Sequence, residues 1–155
     1  MKPIVNRKAT FDYHLLEKFE AGIVLTGNEI KSIRSGRVSL NEAYVLIHGG
    51  EAVLLNAHVA PYEKGTSATT DPKRDRKLLL RKNELDFLAG KLSGSNLTIV
   101  PTRLYFKRNY AKIEVALASG KKKYDKRETI KRREQEKEAR ALLRRDKLEA
   151  QKQRK

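Results

Sequence analysis

The apolar positions of this chain change rhythm twice. Between Ala43 and Val59 the run AYVLIHGGEAVLLNAHV sets two apolar stretches around Gly49-Gly50, and a glycine pair supplies the positive φ angles of a tight hairpin turn. NLTIVPTRLYFKRNYAKIEVALA reads as a second hairpin, turning at Lys107 to Tyr110. In its return strand Ala111, Ile113, Val115 and Leu117 alternate with Lys112, Glu114 and Ala116, the period of two that buries one face. Pro101 cannot donate to a ladder and predicts an edge or a bulge. GIVLTG and RKLLL are short apolar runs, each long enough for one more strand.

Two segments keep the helical period instead. TGNEIKSIRSG sets Thr26 and Glu29 at capping-box spacing, puts Ile30 and Ile33 on one side, and places Gly36 to end the helix. KNELDFLAGKLSG aligns Leu85, Leu88 and Leu92 and stops near Gly94. Both are too short to stand alone, so they predict helices that plug or flank a sheet. Residues 63–76, EKGTSATTDPKRDR, are a loop by composition. The pattern predicts a mainly β fold: a small OB-like antiparallel barrel with two or three short helices. An open α+β sandwich is the competing arrangement.

After Gly120 the rhythm disappears. Residues 121–155 contain neither Gly nor Pro and are mostly strong helix formers. Glu128 with Arg132, and Glu136 with Arg140, are acid-to-base pairs in the favoured i,i+4 direction. Ile130, Ala141 and Leu148 would share a face, but that stripe is too thin to dock firmly. The division predicted is therefore a body at 1–120 and a basic tail at 121–155, disordered when free and ready to fold as a helix on a surface.

Charge then points to the partner. The chain carries 35 Lys and Arg against 19 Asp and Glu, a net charge of +16. The tail holds 16 basic and 7 acidic residues, or +9, and the body +7. A basic surface on both parts favours a polyanion, because neutralising phosphates releases counterions. There is no cysteine, hence no disulfide or thiolate site. The opening MKPIVNRKATFDYH lacks the apolar core of a signal peptide, and no apolar run approaches the roughly 18 residues that span a bilayer. A cytoplasmic monomer, away from membranes, is the expectation.

Catalysis finds little support. His14, His48 and His58 show no metal-ligand spacing, TGNEIKS lacks the spacing of a phosphate loop, and Glu17, Glu20 and Glu29 read as solvated or salt-bridged carboxylates. The chain reads as a non-enzyme needing no cofactor and no metal. RNA binding reads better. NRKATFDY interleaves Asn6, Arg7 and Lys8 with Phe11 and Tyr13, joining phosphate contacts to stacking surfaces, although both aromatics could equally pack in the barrel. DPKRDRKLLL strings Lys73, Arg74, Arg76 and Lys77 along a loop feeding a strand.

FEAGIVLTGNEIKSIRSGRVSLNEAYVLI, then DPKRDRKLLL, then RLYFKRNYAKIEVALASGKKKYDKR and the basic tail, in that order, resemble the SmpB family, the SsrA-binding proteins of bacterial trans-translation. The resemblance runs from about Asn6 into the tail. It implies an OB-like barrel that binds the tRNA-like domain of transfer-messenger RNA (tmRNA) and delivers it to ribosomes stalled on messages without a stop codon. Carried over by position, the RNA face takes in Asn6, Tyr13, Glu20 and Leu79, with Arg7, Lys8 and the 73–77 basic loop nearby. In the tail, Gly120, Lys121, Lys122, Lys123, Tyr124, Asp125, Lys126 and Arg127 would reach the small-subunit decoding centre. Ile130, Lys131, Arg132 and Arg133 would follow as a helix in the empty mRNA channel. The EF-Tu–GTP–aminoacyl-tmRNA complex is a further implied partner. Two departures stand out: many relatives have His where this chain has Tyr124, and an aromatic near Gln135. A ribosomal or other constitutive rRNA-binding protein is the alternative that shares the charge, size and tail.

Overall fold

A glycine pair at the first turn and a polar pair at the second give two hairpins of one kind. Gly49 and Gly50 have φ of 59° and 75°, and Arg108 and Asn109 have φ of 50° and 67°. Positive φ at both central residues is the turn whose twist matches the strands it joins. The hairpins belong to a computed structural model that describes residues 2–62 and 71–153, apart from the Lys123 side chain. Residues 63–70, most of the expected loop, lie outside the described residues.

The chain divides into two units, Met1–Gly120 and Lys121–Lys155. The first contains β1 (Ile4–Val5), α1 (Arg7–Asp12), β2 (Tyr13–Ile23), α2 (Gly27–Arg34), β3 (Val38–Ser39), β4 (Tyr44–His48), β5 (Glu51–Leu55), β6 (His58–Val59), β7 (Arg76–Leu79), α3 (Lys82–Leu92), β8 (Leu97–Lys107) and β9 (Tyr110–Gly120). Its ladders are antiparallel. Strands β8, β4, β5, β7, β2 and β9 pair in that order and β9 returns to β8, so six strands close into a ring. β1 joins β8 at Arg103 and Leu104. Closure removes the exposed edges that an open sheet of this size would present.

Inside the ring, Val45, Leu54, Leu78, Ile99, Leu104, Ile113 and Val115 are buried, each at 2% exposure or less. The two predicted helices supply further core residues. Ile33 of α2 and Leu88 of α3 are fully buried, and Leu85 and Leu92 pack against the same core. The Thr26–Glu29 capping box forms as predicted, and Gly36 (φ 77°) follows the end of α2 in the left-handed conformation. The register of β8 shifts between Pro101 and Arg103, the bulge that the missing proline N–H called for.

Two features depart from the sequence pattern. The strand expected around GIVLTG starts nine residues earlier, at Tyr13, and ends at Ile23. The short helix α1 was not predicted. It lies over the outer face of the sheet, where Ala9 packs on Val100 and Ala118; Ala118 is therefore buried although it points away from the ring. A third feature is the tail, expected to be disordered when free and to fold as a helix on a surface: it forms a helix here, α4 (Lys123–Gln153).

Asn6 holds the N-terminal segment in place. Its amide donates to the carbonyls of Leu40 (3.0 Å) and Pro101 (2.8 Å), and its oxygen accepts from Ala9 N–H (3.1 Å), capping α1. Asn6→Ala would remove the cap and leave two buried carbonyls unpaired. The expected cost is about 2–4 kcal/mol, read as a lower denaturation midpoint. An unchanged midpoint would show that water replaces these bonds.

Candidate nucleic-acid interface

Register gathers the exposed face. Along β2, Tyr13, Leu15, Lys18, Glu20 and Gly22 stand opposite Gly120, Ala118, Ala116, Glu114 and Lys112 of β9. Tyr13 and Glu20 are seven residues apart, so a regular strand would point them to opposite faces. The bulge between Leu15 and Lys18 inserts one residue and restores both to the outside. Leu79 is paired with Gly22 on the neighbouring strand and is 56% exposed.

Glu20 is exposed and bound on both oxygens. Tyr105 Oη donates to Oε2, and Lys107 Nζ stands 3.5 Å from Oε1. The Tyr105 hydrogen bond, with help from Lys107 and against some desolvation, holds the Glu20 carboxyl below its ordinary range. Burial and the Glu20 bond push the Tyr105 phenol up to about 12. Alongside, Arg103 lies 5.2 Å from the Tyr105 ring centre and pairs with Glu114 at 3.0 Å. Tyr105, Arg103 and Lys107 escaped the sequence reading, although a period of two along the second hairpin puts all three on its outer face.

The other expected residues fall into different settings. Arg7 and Lys8 are exposed on α1, and Lys8 is ion-paired to Glu42, which raises its pKa. Tyr13 is half-buried against Ala9, Val100 and Ala118, so it packs as the bland reading allowed. Lys73 is exposed, and Lys77 pairs with Glu51 at 3.0 Å. Two assignments are corrected. Asn6, expected on the RNA face, is 2% exposed and fully engaged with backbone. Arg76 is 1% exposed, with its guanidinium 2.5 Å from Glu29 Oε2 and donating to the carbonyls of Ala57, Arg74 and Pro72. Both scaffold the fold because their polar groups are used up inside it. Arg76 is in phase with buried Leu78, a signal already present in RKLLL.

Glu29 is thus both cap and counter-ion. It accepts from Thr26 N–H through Oε1, which also binds Arg74, and from Arg76 through Oε2. Burial pushes the carboxyl up, but Arg74, Thr26 N–H and Arg76 outweigh it and leave the pKa below the ordinary 4.5. A lowered folded-state pKa means that the unfolded chain binds more protons in this window. The stabilisation is present above pH 4.5 and is lost as pH falls through the folded value. Denaturation midpoints measured from pH 7 to pH 3 should fall less steeply for Glu29→Gln than for the native chain; equal slopes would contradict the assignment.

His14, His48 and His58 sit on β2, β4 and β6, and among the described residues no group of His, Asp or Glu could hold a metal ion. No helix of the described residues is long and apolar enough to cross a membrane.

In the tail unit, the Asp125 carboxylate accepts from Lys122 N–H at 3.2 Å at the start of α4, where a negative charge also complements the helix dipole. Lys121 Nζ donates to Thr129 Oγ1 (2.9 Å), which donates to Asp125 O (2.9 Å). Tyr124 is 69% exposed, and a hydrogen bond with Glu128 raises its pKa. Ile130, Leu142, Leu143 and Leu148 are exposed on α4. Lys122, Arg127, Lys131, Arg132 and Arg133 are exposed too, while Lys126 is half-buried.

The family model described as "SmpB protein" matches residues 3–145. The SsrA-binding protein of Streptococcus pyogenes is 53% identical over 133 residues, 86% of each chain. That of Streptococcus uberis is 50% identical over 138 residues, 89% of each chain. A solved structure described as "tmRNA-SmpB: a journey to the center of the bacterial ribosome" is 46% identical, with a TM-score of 0.67 over 83% of this chain and 94% of that one.

Proposed function

The chain belongs to the SmpB family, and on that premise we propose that it binds the tRNA-like domain of tmRNA and delivers it to stalled ribosomes for trans-translation in the cytoplasm. The observation that carries this reading is the extent of the family match, which takes in the whole body and most of the basic tail. The protein is a binding factor that makes and breaks no bond.

The body, an OB-like barrel, is the RNA reader. Its outer face offers Glu20 and Leu79 beside Tyr105, Arg103 and Lys107, with Arg7, Lys8 and Lys73 supplying phosphate contacts. Glu20 retains lone pairs beyond its bonds to Tyr105 and Lys107, and a carboxylate can accept from base amino or imino groups. Asn6 and Arg76 act through the fold. The tail serves the ribosome. Lys121 to Arg127 meet the decoding centre, and the segment from Ile130 through Arg133 lies as a helix in the vacant mRNA channel. Away from the ribosome the α4 segment exchanges between helix and coil, because its few apolar residues are exposed and add little to hold it. A filled channel excludes the helix, so folding there reports the absence of message.

Reconstituted translation on a message lacking a stop codon tests the function. Peptide tagging should require both tmRNA and this chain. Tagging without the chain, or none with it, would contradict the proposal.

A further inference from the structure

Between Arg37 and Lys64 the sequence contains no Lys or Arg, although 35 of its 155 residues are basic. That window includes the first hairpin, β4 and β5. Val45, Ala52 and Leu54 are buried in the ring, which leaves Tyr44, Leu46 and His48 of β4 on the outer face, cross-strand from Leu55, Val53 and Glu51 of β5. Leu46 is 49% exposed and Tyr44 36%, while Val53 and Leu55 are half-buried. Single exposed apolar residues are ordinary, but four adjacent ones on one sheet face make a patch. Its ends are acidic, with Glu42 just before β4 and Glu51 at the start of β5. Lys8 and Lys77 reach it from other elements, and each is held by one of those carboxylates. Lys8 pairs with Glu42, and Lys77, opposite Val53 on β7, pairs with Glu51 at 3.0 Å.

We propose that this face docks a protein surface that presents an apolar side chain to Tyr44 and Leu46 and a Lys or Arg to Glu42 or Glu51. The partner is met while the chain acts with tmRNA on the ribosome, so the inference rests on the functional reading and adds a protein contact to it. Charge selects the occupant. An RNA strand binds by releasing counterions from phosphates that cations neutralise, and this hairpin has no Lys or Arg of its own. A second copy packed face to face about a two-fold axis would bring two sets of the same carboxylates to one small interface, and chains of net charge +16 repel. A protein that offers one Lys or Arg beside an apolar side chain meets neither obstacle. The ion pairs at Glu42 and Glu51 are exposed, so each contributes little and a partner's cation can exchange into it.

The experiment puts the photo-crosslinker benzoylphenylalanine in place of His48, which is exposed on the same face two residues from Leu46. The full chain is added to a reconstituted system of tmRNA, purified elongation factors and ribosomes stalled on a message without a stop codon. Illumination should join it to one protein of that system and not to RNA. The double variant Tyr44→Ala with Leu46→Ala should reduce both the crosslink and tagging at least about fivefold. Glu51→Gln should reduce the crosslink as well. The double variant changes no charge, so its affinity for the tRNA-like RNA and its salt slope should stay at the native values. A native thermal midpoint verifies that it folds, and Leu46→Thr, which keeps strand propensity, carries the same prediction. A crosslink to RNA or to a second copy of the chain, or no crosslink at all, would overturn the inference. So would a folded double variant that crosslinks like the native chain. No tagging by the native chain fails the functional reading instead, and the crosslink on stalled ribosomes still decides this one.

Discussion

Removal of residues 121–155 is expected to abolish peptide tagging on stalled ribosomes while the remaining body keeps its preference for the tRNA-like domain of tmRNA. Among the described residues, the buried clusters lie between Ile4 and Ala118, so the deletion takes nothing from the packed interior. It also leaves Glu20, Leu79, Tyr105 and Lys107 in place, and a body charge of +7. What goes is a charge of +9 and the helix α4. Loss of those cations lowers affinity for every RNA together and flattens the salt dependence, so the ratio between RNAs is the informative quantity. Tagging has no such reserve, because in the proposed role the tail supplies what codon–anticodon pairing would otherwise provide. Binding is measured by titration and tagging by the mass of the released peptide. A ratio that collapses with tagging would place the specific RNA contacts in the tail.

The second large effect is on stability. Arg76→Ala should cost about 3–5 kcal/mol, a large share of what holds a domain of this size together. The substitution removes donors from the carbonyls of Ala57, Arg74 and Pro72 and leaves Glu29, 5% exposed, with Arg74 as its remaining arginine. Arg76→Lys should recover little, because a point charge cannot span the carboxylate and three carbonyls that the planar guanidinium reaches. Denaturant midpoints give the cost. The salt slope of RNA binding, measured on the folded protein, should not change, whereas Lys73→Ala should reduce it by about one unit. A lower slope for an Arg76 variant that is still folded would return this residue to the RNA face.

These expectations show where sequence reading succeeds and where it stops. The two hairpins, the capping box and the Leu85–Leu88–Leu92 stripe were legible because their signals lie within a few residues. YHLLEKFEAGI was not legible as a strand, since its bulge at Leu15 to Lys18 breaks the period of two by which strands are found. The same bulge carries Tyr13 and Glu20 to one face, a relation that spacing alone would deny. Helix α1 spans six residues and offers no stripe, only the cap Asn6. Arg76 read as a surface cation because its partner Glu29 is 47 residues away in sequence. For Arg76 and for the register of β2 the deciding interaction was long-range. The tail was read correctly as a helix former, but propensity does not say whether the helix stands without a partner.

The central claim is that the body alone reads the RNA. It is tested most directly by titrating the full chain and a 1–120 fragment, at one near-physiological salt concentration, against the tRNA-like domain of tmRNA, an ordinary tRNA and an unrelated hairpin. The account predicts that both proteins prefer the tmRNA domain, by the same ratio. Equal binding of all three RNAs by both proteins would contradict it and leave a generic basic RNA-binding protein in its place.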